Sequence, residues 1–570
     1  MFAVTLLATF LLFASCEQPV GGGEDTFVKK IANAQDMAKI GVDEDWPLAG
    51  KYELANNITL ENWMGIAGGA GEIFSGVFDG GGNTITLNGL ALSGGAVTGG
   101  AVTGSTVTGS TVTLLGVNVL AGIFPRIEGN AEVPAVVKNL TVVVNAFMDE
   151  DPQSHMSVGV VAGYAKEADF ENITIKGNIS ARNAYSGTGN RRLIIGGIAG
   201  IADGSTITGC GNEAEIYGFG TAGNAVYNQI GGIVGMFQGG TAITNCRNMG
   251  NVTGETSGQR TNVFAGGIAG GSYYAASADY RGKIEDCSSS GNIRAEGGSY
   301  WSWAGGIAAT IVGGGSGDTG PTRIVRCRAS GIISVNEAAG SWPYVGGITA
   351  NNYYGAYVEQ CYFAGDALVE GEGVNDYAGG IAGYNSQHSS ANSTIQNCWS
   401  SGTVTGFLNA GGIVGQNQVN AVLRRCYSTA EIVVTAAAEA RASQANQGAG
   451  GIAGFTVSTE TDGLANCVAL NTSVSAPNGF AVLGRVVGTN SASYVAGGLS
   501  AEDGNMRNNY AGSDMGVTIA GEPKEVTADI NGIDGADCQE QPDRTFYEGL
   551  GWDFTTVWKM DADYPQLRWQ

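Results

Sequence analysis

A five-residue pattern, Gly-Gly-[Ile/Val]-x-Gly, returns eight times, with first glycines at Gly196, Gly231, Gly266, Gly305, Gly346, Gly379, Gly411 and Gly450, spaced 32 to 41 residues apart. The fourth and fifth copies end on Ala309 and Ala350, which are still small, and weaker copies start at Gly159 and Gly484. One cysteine keeps the same beat in each unit: Cys210, Cys246, Cys287, Cys327, Cys361, Cys398, Cys426 and Cys467. Three residues before each stands an aliphatic side chain, from Ile207 and Ile243 through Ile284, Ile324, Val358, Ile395 and Leu423 to Leu464. Six residues after it the position is again apolar (Ile216, Val252, Ile293, Ile333, Ala367, Val404, Ile432), with Ser473 as the exception. A period of this length identifies one supersecondary unit stacked many times, so the chain does not divide into three or four ordinary domains.

Each unit holds three short apolar segments separated by Gly, Asn and Ser, which reads as three strands. Glycine supplies 94 of 570 residues and charged residues only 14%, a composition that disfavours long helices and favours short strands broken by turns. A straight strand has period two, so an inward aliphatic residue and an inward cysteine three apart require a bend between them. The residue just before the cysteine is often one that tolerates a left-handed backbone, as at Gly209, Asn245, Asp286, Asn397 and Asn466. Short strands with corners in phase cannot bury their apolar sides alone, but they can by stacking on the next unit. The expected fold is all-β, a β-solenoid with one unit per coil.

The units from Gly379 (GGIAGYNSQHSSANSTIQNCWSSGTVTG) and Gly411 (GGIVGQNQVNAVLRRCYSTAEIVV) resemble the GLUG-motif repeats of bacterial cell-surface proteins. The resemblance implies a right-handed parallel β-helix with three sides. It covers roughly residues 60 to 570: WPLAGKYELANNITL (Trp46 on) and FSGVFDGGGNTITL (Phe74 on) resemble an opening coil, and WDFTTVWKMDADYPQLRW (Trp552 on) resembles a closing segment. Leu140 and Ile173 occupy the cysteine slot in earlier units. Eleven or twelve coils follow, a rod about 55 Å long at ~4.8 Å per coil.

The expected organisation is a lipoprotein-type signal over 1–16, a flexible tether over 17–30, an N-terminal cap over 31–60, the repeat β-helix over 61–495, and a C-terminal coil and cap over 496–570. FVKKIANAQDMAKI (27–40) is the best helix candidate, with Asn33 as its N-cap, and is expected to cover the first coil. Phe554, Trp558, Tyr564 and Trp569 are expected to close the core at the other end. Four tandem pentapeptides between Gly94 and Thr113 read as a loop expansion or a small edge ribbon.

MFAVTLLATFLLFASC is too short to span a bilayer and stands where a secretory signal belongs. Its end, Phe13-Ala14-Ser15-Cys16, resembles a bacterial lipobox, which implies acylation of Cys16 and an outer-membrane lipoprotein, surface-exposed; an ordinary cleaved signal is the alternative. A net charge of −24 repels phosphate backbones and anionic lipid, so nucleic acid is not an expected partner and the membrane is reached through the lipid anchor alone. The protein is expected to be a monomer without cofactors.

The repeat cysteines read as a ladder of buried thiols, small hydrophobes too far apart for disulfides at strand spacing; disulfides are the alternative. GFGTAG (218–223) fits a dinucleotide fingerprint only formally, because no helix pattern follows it. Two histidines, His155 and His388, and no H-E-x-x-H or G-x-S-x-G leave no proton-transfer or nucleophilic constellation. No catalysis is expected, a polysaccharide-acting β-helix enzyme being the third-ranked alternative.

One pattern points to binding. The residue before each GG pair is apolar, so the one before that should face solvent; four consecutive coils fill this slot with Phe264, Trp303, Tyr344 and Tyr377, and Trp301 and Trp342 lie nearby, as do Tyr273, Tyr274, Tyr300, Tyr353 and Tyr354. The rings either shield the sheet or form a platform for a glycan or an extracellular protein, Phe264, Trp301, Trp303, Trp342, Tyr344 and Tyr377 being the candidate contacts. The expected function is a non-catalytic, envelope-anchored adhesion or ligand-binding rod, with a purely structural envelope protein as the alternative.

Overall fold

The computed structural model describes residues 27–570 apart from 69–70, 91–116, 151–154, 184–190, 223–225, 259–260, 273–280, 314–320, 337–340, 371–374, 387–391, 439–446, 459, 461, 481, 491–505 and 562. Cys16, the tether up to residue 26, the pentapeptide tract, Tyr273, Tyr274 and His388 lie outside the described residues.

The chain is a parallel β-solenoid with three sheets along its length. Two sheets have eleven strands each, one running from Val117–Ala121 to Leu483–Gly484 and the other from Phe124–Glu128 to Val487–Asn490. The third sheet collects the remaining rungs, 33 strands in all. Rungs stack by repeat position: Gly196 pairs with Gly231, Ile207 with Ile243, and Ile216 with Val252. An insertion within a rung breaks the ladder register, as between Val117 and Val119 opposite His155 and Met156, so most of the variation in unit length goes into the segments between strands.

The bend before the cysteine is a column of left-handed residues. Asn139, Asn172, Gly209, Asn245, Asp286, Asn397, Asn466 and Asn508 all have φ between +52° and +65°. The same column contains Arg326, Gln360 and Arg425, with φ of 50°, 52° and 53°, residue types that enter this region at a steric cost of about 1–2 kcal/mol. Two of the three are braced by the coil before: Arg326 grips Asp286 through Nε (2.7 Å) and Nη2 (2.9 Å), and Arg425 Nε donates to Asn397 Oδ1 (3.0 Å).

GG-[IV]-x-G is an arch that links the two eleven-stranded sheets and points into the coil. Its aliphatic residue (Ile198, Ile233, Ile268, Ile307, Ile348, Ile381, Ile413, Ile452) is fully buried in the main core, which also holds the eight repeat cysteines. A Cβ on the second glycine of the arch, Gly232, would lie 2.1 Å from the Gly267 carbonyl oxygen and 2.5 Å from Asn248 Oδ1. The apex therefore abuts the residue two past the cysteine, and only glycine fits there. All nine described cysteines are free thiols. Successive rungs are linked by N–H to sulfur contacts, as from Cys246 to Cys287 Sγ (3.4 Å) and from Cys398 to Cys426 Sγ (3.4 Å). Burial holds the Cys210, Cys287, Cys327, Cys398 and Cys467 thiols well above the usual range, which suppresses the reactive thiolate.

At the N-terminal end the helix spans only residues 34–39, and residues 28–31, expected as tether and helix, form a strand. Strand Val28–Ile31 pairs with Lys51–Leu54, and helix α1 (Ala34–Lys39) starts at Asn33, whose side chain accepts the Asp36 amide at 3.0 Å. Ile31, Met37 and Ile40 are buried in the main core. The C-terminal expectation needs correction, because Phe554, Trp558, Tyr564 and Trp569 do not close the end of the solenoid. They build a separate core on its flank, against Tyr362, Trp399, Tyr427, Val468 and Tyr510. The first four of these five directly follow a repeat cysteine and Tyr510 holds the equivalent rung position, so all point outward. The aromatic tail thus finds its apolar partner on the side of the rod.

The end itself is closed by Arg485 and the segment around Ile533. Arg485 replaces the second arch glycine, a position with no following arch to collide with. Its guanidinium reaches Asp537 (2.7 Å) and the Gly512 and Gly535 carbonyls (3.4 and 3.3 Å). The amides of Val486 and Val487 donate to the Ile533 carbonyl at 3.0 and 2.9 Å.

Candidate functional site

The aromatic slot lies on the second face of the sheet, as the alternation requires, but that face is not open to water. Phe264, Trp303, Tyr344 and Tyr377 are 1%, 2%, 3% and 6% exposed. The expectation that this slot faces solvent is therefore corrected. The physical cause is the arch: its two sheets lie face to face, and what points away from the main core points at the opposite sheet. At the last position of the motif, a Cβ on Gly270 would stand 2.7 Å from the Ile230 nitrogen, and one on Gly383 would stand 2.8 Å from the Tyr377 oxygen. The space between the sheets forms a second dry core, in which the four rings meet Ala309, Ala350 and Tyr384 from the other side. Tyr344 and Tyr384 stack at 5.2 Å, and Tyr377 and Tyr384 at 5.4 Å.

Among the described residues, the ring column reaches the surface at the mouth of this space. Trp301 and Trp342 are paired rungs that begin their strands. Trp342 is 39% and the adjacent Tyr300 47% exposed, while Trp301 is half-buried between them and the interior. The rings form one continuous series: Tyr300 to Trp301 (4.8 Å), Trp301 to Trp303 (5.2 Å) and Trp303 to Tyr344 (5.2 Å, 5° between planes). The buried rings thus hold Trp301, and through it Tyr300, in place, because each neighbour restricts the rotamers of the next. Of the six candidate contacts, Trp342 is exposed and Trp301 half-exposed; Phe264, Trp303, Tyr344 and Tyr377 are buried in the cluster against which Trp301 packs. Tyr384 escaped the sequence reading because the strand's in–out alternation breaks at Gly383, a position that it and its neighbour both skip in their pairing (Ala382 with Val414, Tyr384 with Gln416).

Other sequence features find structural roles. GFGTAG begins inside strand Glu215–Ala222, a rung paired with Val252–Gly258, and so is part of the ladder. Among the described residues, no group of three or more His, Cys, Asp or Glu side chains is placed to hold a metal ion, and no helix is long and apolar enough to cross a membrane.

No family model and no curated protein matches the chain. A crystal structure of a protein from Bacteroides ovatus, described as a "putative immunoglobulin A1 protease", aligns with 96% of this chain and 94% of its own, at 13% identity and a TM-score of 0.23. At that score the likeness carries no argument about fold or activity.

Proposed function

We propose that the protein is a GLUG-type, lipid-anchored surface rod without catalytic activity, which binds an extracellular ligand at the mouth of the arch through Tyr300, Trp301 and Trp342. The observation that carries this reading is the pair of exposed rings on adjacent coils, Tyr300 and Trp342, the first of them stacked through Trp301 on a buried ring column. Exposed aromatics on an ordered support lose little entropy on binding, and aromatic anchors dominate the energetics of many interfaces. The ligand class is a glycan or an extracellular protein. A charge of −24 disfavours strongly anionic ligands of either kind.

Substitution tests the platform against its support. Tyr300→Ala with Trp342→Ala should abolish binding on a glycan and matrix-protein array while moving the melting temperature little. Trp303→Ala, which removes a buried ring, should cost about 3–5 kcal/mol of stability. If the double variant binds as the parent does, the platform reading fails and a purely structural envelope role takes its place.

A further inference from the structure

The N-terminal end of the rod is built unlike its sides. Among the described residues, strand Val28–Ile31 pairs only with Lys51–Leu54, and strand Ile58–Trp63 only with Thr84–Leu90, so no coil is stacked beyond them. Helix α1 lies against both of these outer strands and against the turn Ile66–Gly68. It seals the main core from inside with Met37, while its other side belongs to the end surface.

That surface is apolar where a rod end surrounded by water would be polar. Twelve large apolar side chains are exposed among the described residues, and four of them, Phe27, Val28, Val42 and Met64, belong to this end. Phe27 and Val42 are each 71% exposed and Met64 51%. They stand around α1: Phe27 precedes the first strand, Val42 follows the helix by three residues, and Met64 joins the strand Ile58–Trp63 to the turn. Basic groups accompany them. Four of the ten lysines of the chain are Lys29, Lys30, Lys39 and Lys51. The ammonium groups of Lys29 and Lys39 converge on the half-buried Trp46, at 5.4 and 5.2 Å from its ring centroid, and Trp46 stacks on Tyr52 at 5.7 Å. Exposed aliphatic and aromatic side chains beside tryptophan and lysine are the composition of a surface that lies in a lipid interface.

We infer that this end is a lipid-contacting foot, with Phe27, Val42 and Met64 in the interfacial layer of the membrane and Lys29 and Lys39 at its phosphates. The inference rests on the lipid-anchor reading given above. Ten residues separate Cys16 from Phe27, a reach of at most ~36 Å, so an acyl chain on Cys16 holds this end of the rod at the bilayer. The lipid is zwitterionic: residues 27–64 carry four lysines against six carboxylates (Asp36, Asp43, Glu44, Asp45, Glu53 and Glu61), which leaves no net positive charge to attract an anionic surface.

The test uses the full acylated chain, anchored in vesicles of phosphatidylethanolamine and phosphatidylcholine. Val42→Cys and Met64→Cys each carry an environment-sensitive fluorophore, and Val526→Cys, in the segment that closes the opposite end, is the control. The parent thiols among the described residues are buried and should take up no label. On vesicles the labels at 42 and 64 should shift to the blue and be quenched about twofold by nitroxide-bearing lipid, and the label at 526 should do neither. Phe27→Asp should weaken the quenching at 64 at an unchanged melting temperature. Labels at 42 and 64 that stay in water on vesicles bearing the anchored chain overturn the inference and leave the anchor reading standing. A blue shift that lipid nitroxides do not quench assigns the end to a second copy of the chain and overturns it too. Mass spectrometry of the N-terminal peptide separates the two readings: a Cys16 without an acyl group overturns the anchor, and the foot with it.

Discussion

Asp376 is fully buried just before strand Tyr377–Gly379, and its carboxylate accepts amides from the next coil: Phe407 (2.6 Å), Leu408 (2.9 Å) and Asn409 (3.4 Å). Those amides favour the charged form, but complete burial outweighs them and pushes the carboxyl up to about 7. The unfolded chain sheds this proton near pH 4, so between roughly pH 4 and 7 the folded state holds a proton that the unfolded state lacks. Stability from this group is complete below pH 4 and is lost as pH rises to 7, by at most about 1.4 kcal/mol per pH unit. Asp376→Asn removes the titration, so the parent should lose stability relative to this variant across that window. Denaturant midpoints of both proteins at pH 4, 5, 6 and 7 provide the measurement, and a constant difference would show that Asp376 stays ionised. The thiols mark the contrasting case at the same scale. Cys287, Cys327 and Cys467, whose thiols burial holds well above the usual range, are small and fill the corner without needing a strong partner.

At the scale of the element, the arch is the repeat's most constrained part. Gly232→Ala would put a methyl group 2.1 Å from the Gly267 carbonyl oxygen, a backbone atom of the next coil that cannot move without breaking its rung. The substitution should cost 1–3 kcal/mol or more, seen as a lower urea midpoint, whereas Ala309 and Ala350 show that the last arch position accepts a methyl in coils whose slots hold Trp303 and Tyr344. Much of this element was legible in the sequence. The spacing of Ile243 and Cys246 demanded a corner, and Asn245 supplied its left-handed residue (φ 54°). Arg326, Gln360 and Arg425 were not legible there, since their strain is relieved by residues of the neighbouring coil or held by the register alone. Nor was the direction of the arch. Alternation places Phe264 and Ala265 on opposite faces of a strand, but it does not say what covers the second face, and the covering residues follow an arch position at which both paired strands break the period. The exposed remainder of the site, Tyr300 and Trp342, is decided by which ring stands at a strand end, a matter of tertiary packing.

At the scale of the molecule, a solenoid is close to one-dimensional: each coil contacts its neighbours, and a lesion in one coil stays local. The C-terminal tail departs from that rule. Its Trp569 indole donates to the Gln360 carbonyl (2.9 Å) and its Trp552 indole to the Asn466 carbonyl (3.0 Å), both at left-handed corners of separate coils. The shared aromatic core beneath it runs from Tyr362 to Tyr510 and so joins coils that do not otherwise touch. The tail is therefore a lateral clamp that makes this stretch more cooperative than the rest of the rod. Trp558 is the test residue, since it is fully buried in the clamp core and absent from the main one. Trp558→Ala should remove about 3–5 kcal/mol from the clamp. In hydrogen exchange, amides of 543–570 should then open first, protection across 360–512 should fall as a block, and 135–300 should exchange as in the parent. If instead the loss is confined to the tail, the covered coils are held by their own ladders and the clamp adds no coupling. If it spreads to 135–300, the rod unfolds as one unit and the nearest-neighbour description of its stability does not apply.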